Sequence, residues 1–157
     1  DAIATTEKLI TAKQKLRRSL MAKMLTGKLR LQKYANQSWD LEYLGQIANI
    51  RRGASPRPIG DPKYFSEEGR GWVRISDVTS SKTYLTKTSQ YLSALGESKS
   101  VAVDPGDLIM SICATIGVPR IVKMRACIHD GFVLIQPDTD KLLSSFLYQY
   151  IKYISPR

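Results

Sequence analysis

Val101-Ala102-Val103-Asp104-Pro105-Gly106-Asp107-Leu108-Ile109-Met110-Ser111-Ile112 is the stretch on which the fold class turns. Two short apolar runs rich in Val and Ile stand on either side of a Pro-Gly turn, which reads as two strands. Working outward, Trp72-Val73-Arg74-Ile75-Ser76 follows Gly69 and Gly71 and alternates as a half-buried strand does. Val118 to Lys123 and Phe132-Val133-Leu134-Ile135 add further strands, and Leu142 to Ile154, without a breaker, reads as a closing helix. Runs of strands without long helices between them argue against a doubly wound nucleotide-binding fold. The expected class is α+β: a long N-terminal helix followed by a mixed, strand-rich globular domain.

The helix is read from residues 1–32, where no Gly occurs before Gly27 and no Pro at all. Ile3, Leu9, Ile10, Leu16, Leu20, Met24 and Leu31 recur at separations that favour one helical face, predicting a helix over about 2–26. Thr5 or Thr6 is expected to cap its start and Gly27 its end. The same segment carries eight Lys and Arg against Asp1 and Glu7, which is +6 of a total net charge of +10. An apolar stripe on so basic a helix needs cover, so Ile3, Ile10, Leu16, Leu20 and Met24 are expected to pack against a partner helix. The chain opens on Asp1 rather than Met, which reads as excision from a longer protein.

Composition narrows the function classes. The surplus of 24 Lys and Arg over 14 Asp and Glu suits a polyanion such as nucleic acid. No run approaches the roughly 20 apolar residues of a membrane span, no secretory signal opens the chain, and a cytoplasmic location is expected. Cys113 and Cys127 with the single His129 are too few for a structural zinc site, so both thiols are expected to be reduced and buried. His129 beside Asp130 reads as a turn or polar contact. Asp77, Asp104, Asp107 and Asp130 lie near glycines or prolines, where turn chemistry accounts for them. No nucleophile elbow, phosphate-cradling loop or dinucleotide fingerprint is present. Trp39 and Trp72 are expected to be core anchors.

A binding surface is easier to find than a catalytic one. Arg51, Arg52, Ser55 and Arg57 lie in a segment stiffened by Gly53, Pro56, Pro58, Gly60 and Pro62, and read as an ordered loop. There a guanidinium can meet phosphate or a guanine edge with two hydrogen bonds at reduced ordering cost. Arg74 and Ser76, with Asp77, are expected at a strand end, and Arg120, Lys123 and Arg125 between two strands. The candidate DNA-contacting set is therefore Arg51, Arg52, Ser55, Arg57, Arg74, Ser76, Lys123 and Arg125.

These residues sit in a chain that resembles the DNA-specificity subunit of type I restriction-modification enzymes. Thr6-Glu7-Lys8-Leu9-Ile10, Lys13-Gln14-Lys15-Leu16 and Leu25-Thr26-Gly27-Lys28 are similar to part of that family's helical region. Trp39, Leu44-Gly45-Gln46-Ile47 and Gly53-Ala54-Ser55-Pro56 resemble the entry to its target recognition domain. Gly71-Trp72-Val73-Arg74-Ile75-Ser76-Asp77, Gly106-Asp107-Leu108-Ile109-Met110-Ser111, Ala114-Thr115-Ile116-Gly117 and Phe146-Leu147-Tyr148 continue it in order.

The resemblance implies a coiled-coil-type spacer helix over 1–32 and a target recognition domain over 33–157, truncated at its C-terminal end. Family chains carry two such domains joined by antiparallel helices, each reading half of a split DNA site without catalysis of its own. Double-stranded DNA, modification and restriction subunits, and a pairing helix from a second copy or from the missing half are the implied partners. S-adenosylmethionine, ATP and magnesium are expected only on partner subunits. The competing expectation is a non-catalytic protein-interaction or assembly domain with a basic helix, whose association would be nearly indifferent to salt, unlike DNA binding. An endonuclease or methyltransferase is disfavoured by the absent motifs.

Overall fold

A computed structural model describes residues 1–155, and the expected truncation beyond that point lies outside the described residues. The chain divides into two units, residues 1–41 and residues from 42 onward. The first is built on helix α1, Ala2–Leu25. Asp1 caps it by accepting a hydrogen bond from the Ile3 amide at 3.1 Å. Thr5 and Thr6 do not cap; one turn inside the helix, their hydroxyls donate back to the carbonyls of Asp1 and Ala2. Thr26 is the C-cap residue, and Gly27 follows at φ +73°, the left-handed conformation that ends helices.

Of α1 only Leu25 is buried. Ile3, Ile10, Leu16, Leu20 and Met24 are 41–69% exposed. Trp39 is not a core anchor: it is 48% exposed, with the Arg30 guanidinium 5.2 Å from its ring centre, because this unit has no second layer to enclose an indole.

The second unit runs α2 (Leu44–Ile47), β1 (Ala48–Arg52), β2 (Phe65–Ser66), β3 (Arg70–Val73), α3 (Ile75–Ser80), β4 (Tyr84–Leu85), β5 (Gln90–Leu92), α4 (Ala94–Glu97), β6 (Val101–Val103), β7 (Leu108–Ser111), β8 (Pro119–Val122), β9 (Ala126–Ile128), β10 (Phe132–Pro137) and α5 (Ser144–Ile154). Two five-stranded sheets result, in the orders β1-β10-β7-β8-β4 and β2-β5-β3-β9-β6. Parallel pairs β3·β9 and β4·β8 are mixed with antiparallel ones.

Neighbouring residues on single strands explain the layering. Ile109, Val122 and Leu134 join Val73, Val103 and Ile128 in one apolar cluster drawn from both sheets. Leu108, Ile121 and Ile135, each one residue away, join Leu147, Tyr148 and Ile151 of α5 in a second. The inner strands β10, β7 and β8 of the first sheet are therefore covered on both faces, which is why they are largely apolar rather than alternating, while edge strand β1 is exposed. The second sheet places Val73 inward and Trp72 with Leu92 and Cys127 on its other side. Both Trp72 and Val73 are fully buried.

This layering corrects several expectations. The strand read through Ser76 ends at Val73, and α3 begins at Ile75, because the Asp77 carboxylate accepts from the Arg74 amide at 2.9 Å and starts a helix. The strands on either side of Pro105-Gly106 form no hairpin; β6 and β7 belong to different sheets, so the turn carries the chain between layers. Arg51 and Arg52 are not loop residues but end edge strand β1, opposite Leu134 and Val133 of β10. Arg120 is no surface candidate: it is 8% exposed. Its guanidinium donates to the Ser81 hydroxyl, the Ser81 carbonyl and the Pro119 carbonyl. Cys127 is buried as expected, with burial pushing its thiol up to about 11, whereas Cys113 is exposed.

Replacing Arg120 by Met keeps the stem but removes the donors. The Ser81 and Pro119 carbonyls then lose their charged partner, which should cost about 2–3 kcal/mol. A urea midpoint equal to that of the parent would show that these bonds are dispensable.

Candidate nucleic-acid interface

Between β9 and β10 the chain crosses from one sheet to the other through His129, Asp130 and Gly131. Beyond β1 it turns at Gly53 onto the same place. The Gly53 amide donates to Phe132 O at 2.9 Å and the Ala54 amide to Ile128 O at 3.1 Å. A Cβ at Gly53 would lie 2.1 Å from His129 O, so only glycine permits this approach. Two crossing segments are thereby pressed together at one corner of the two sheets.

Asp130 organises that corner. Its Oδ1 accepts from the Ser55 hydroxyl at 2.7 Å, its Oδ2 pairs with Arg57 Nη2 at 3.2 Å, and its carbonyl accepts from Arg52 Nε at 2.9 Å. Tyr64 adds a tie by donating its hydroxyl to Arg57 O at 2.8 Å. The Ser55 hydrogen bond, then Arg57 and His129, hold the Asp130 carboxyl below its usual range. His129 Nδ1 accepts from the Gly131 amide at 2.9 Å, and its ring packs against Trp72 and Phe132. Burial, and then the nearby charge of Arg74, push its pKa below the ordinary imidazole value. It is a positioning group within a turn, with Phe132 N donating to its carbonyl.

The structure thus brings Arg52, Ser55 and Arg57 onto one residue, Asp130, through its carbonyl and its carboxylate, and sets Arg74 near His129. Arg51 neighbours them on β1, exposed, and Ser76 is exposed at the start of α3. Lys123 and Arg125 belong elsewhere. In the parallel pair β3·β9, Arg125 precedes the strand that His129 follows, which separates them by about 13 Å at 3.3 Å per residue. Lys123 lies over the Tyr84 ring at 5.2 Å, and Arg125 is 3.9 Å from Asp104. Sequence reading named the cations but missed Asp130 as their organiser. An acidic residue beside the only histidine was visible, and its partners 73 to 78 positions away were not.

The other carboxylates also have structural partners. Asp77 accepts from the Arg74 and Ser89 amides, Asp107 from the Asp104 amide and Gln136, and Asp104 pairs with Arg70 at 2.9 Å. Among the described residues no group of His, Cys, Asp and Glu could hold a metal ion.

Acidification should loosen this corner. Because folding lowers the His129 pKa, the unfolded chain binds a proton more readily than the folded one below about 6.5. Stability is then complete above that value and declines as pH falls towards the folded pKa. Asp130 acts in the same sense at lower pH, its contribution present above the ordinary carboxylate value and lost as pH falls through the depressed one. Thermal midpoints at pH 7.5 and 5.5 should differ, and less so in His129→Gln; equal drops in the two proteins would refute the assignment.

Comparison with known proteins gives the family and the fold. A family model described as the type I restriction modification DNA specificity domain matches residues 36–157. A solved structure on complex assembly and conformational transition of the type I R-M system shares the fold at TM-score 0.61 and 21% identity, over 98% of this chain and 40% of that one. The crystal structure of an HsdS subunit from Thermoanaerobacter tengcongensis matches at TM-score 0.56 and 22% identity, over 96% of this chain and 39% of that one. That of a type I S subunit from M. genitalium matches at 0.59 and 14%, over 96% and 37%. The chain spans about two fifths of the length of the solved chains it matches.

Proposed function

The chain belongs to the type I restriction modification DNA specificity domain family, and we propose that it reads part of a duplex target through the corner where Asp130 holds Arg52, Ser55 and Arg57. The observation that carries this reading is the clamp itself. Two guanidinium groups otherwise free to sample many rotamers are tethered at an exposed edge, with the Arg57 side chain 70% exposed. Preorganisation lowers the ordering cost of base-edge contact. Arg51, Arg74 and Ser76 extend the contact on that side. Lys123 and Arg125, at the far end of β9, meet phosphates.

Within this reading the domain supplies recognition and no catalysis. Methylation and cleavage fall to modification and restriction subunits, which carry S-adenosylmethionine, ATP and magnesium, in a cytoplasmic complex. Among the described residues no helix is long and apolar enough to cross a membrane. The exposed Ile3, Ile10, Leu16, Leu20 and Met24 stripe supports pairing of α1 with another helix, from a second copy or from the remainder of a longer chain.

Base contact and phosphate contact leave different signatures in the complex assembled with its modification subunits. Arg52→Ala or Arg57→Ala should cost about 1–3 kcal/mol and relax preference at one base pair. Lys123→Ala should weaken all duplexes alike and lower the salt slope by about one. If neither arginine alters affinity or preference, the reading face lies elsewhere.

The pairing of α1 has its own test. Leu16→Asp with Leu20→Asp places charge on the stripe and should abolish helix association. Sedimentation of both forms at high concentration reads this directly, and identical masses would remove the partner helix from the proposal.

A further inference from the structure

Between β7 and β8, which pair antiparallel, the chain makes a projecting loop, Ile112-Cys113-Ala114-Thr115-Ile116-Gly117. Cys113 to Ile116 are all exposed, Ile116 at 68%. The loop is nonetheless fixed at its base. The Ser111 hydroxyl donates to Thr115 O and accepts from the Val118 amide at 3.2 Å. The Gly117 amide donates to Ser111 O at 2.9 Å, and the Ser155 hydroxyl donates to Gly117 O at 2.8 Å.

Its stem is fastened to the corner that carries the arginines. The Ile112 amide donates to Gly131 O at 2.8 Å, and the Cys113 thiol lies 3.7 Å from the same oxygen. A Cβ at Gly131 would lie 2.4 Å from Cys113 Sγ and 2.5 Å from His129 Cε1, so thiol and imidazole border one backbone position. Asp130, the next residue, holds Arg52, Ser55 and Arg57. Loop and clamp therefore share residues 129–131 as a common base.

The chemistry of the loop suits a polyanion although it carries no cation. From Leu108 to His129 the sequence has no Asp or Glu. Among the described residues the amides of Cys113, Ala114, Thr115 and Ile116 have no internal acceptor. They follow one another through a turn with Ala114 at φ +55°, an arrangement of consecutive donors that accepts anionic oxygens. Ile116 adds a β-branched apolar tip, the kind of group that contacts a thymine methyl or the sugar edge of a groove.

We infer that the Ile112–Gly117 loop is a second DNA-contacting element, its unpaired amides donating to backbone phosphates while Ile116 rests on an apolar groove surface. This rests on the DNA-reading role of the Arg52–Ser55–Arg57 corner and extends it to a segment that charge patterning does not mark.

Cys113 provides the readout, since Cys127 is fully buried and serves as an internal control. In the complex with modification subunits, N-ethylmaleimide labelling of Cys113 followed by peptide-resolved mass spectrometry should slow severalfold when target duplex is added. Ile116→Asp, at an exposed position, should lower affinity for target and scrambled duplexes about tenfold or more by repelling phosphates, with the mass of the complex unchanged. Either observation missing overturns the inference. If Arg57→Ala still weakens binding in that case, the arginine corner stands and the loop alone is withdrawn. Loss of complex assembly in Ile116→Asp, with DNA affinity of the residual complex intact, would assign the loop to a protein contact instead. No effect from Ile116, Arg52 or Arg57 variants would overturn both readings together.

Discussion

The close approach of Gly53 to the His129 carbonyl is the constraint on which the rest of the second unit depends. The chain leaves the first sheet at Gly53 and re-enters it at Phe132, and both passages occupy one corner. Any side chain at Gly53 would push them apart, since its Cβ would meet His129 O at 2.1 Å. With the backbones in contact, the amides of Gly53 and Ala54 are satisfied by Phe132 and Ile128. The Ser100 hydroxyl closes the seam on Ala54 O and Ile128 O. The corner is stiff because almost every group in it is bonded across segments distant in sequence.

That stiffness carries into the chemistry. A carboxylate next to arginines would ordinarily compete with phosphate for them, but Asp130 takes only one edge of Arg57 and lends Arg52 its carbonyl rather than its charge. The guanidinium groups keep donors for an incoming duplex while losing much of their rotational freedom. An exposed pair of this kind adds little to stability, so its contribution is to geometry. His129, whose pKa burial and then Arg74 push below the ordinary imidazole value, supports the turn from within.

The two ends of the β3·β9 pair divide the cationic surface. Arg74, His129 and Asp130 follow the strands, while Arg70, Arg125 and Asp104 gather at their start. At that second end charges are largely paired with each other, Arg70 with Glu97 at 2.7 Å and with Asp104 at 2.9 Å. Within the second unit the cations beside this strand pair thus resolve into one corner aimed outward and an end where Arg70 is paired internally while Arg125 stays largely exposed. Counting charges along the sequence gives no access to this division.

The sequence by itself determined the helix over residues 2–25, its basic surface and its uncovered apolar stripe, because these follow from local periodicity. It also determined strands β3, β6, β7, β8 and β10 and the closing helix, since short apolar runs between Gly and Pro have few alternatives, whereas the short or polar strands β1, β2, β4, β5 and β9 carry no such local signal. The DNA-specificity family was legible too, because Trp72 to Asp77, Gly106 to Ser111 and Ala114 to Gly117 keep their order. Only the tertiary structure decided which sheet each strand joins, why Arg74 starts a helix, and that Arg120 is a buried brace while Cys113 is exposed. It alone decided that Asp130 gathers Arg52, Ser55 and Arg57. Those partners are separated by 73 to 78 residues, and a contact between segments so distant depends on how the sheets cross, which no local pattern encodes.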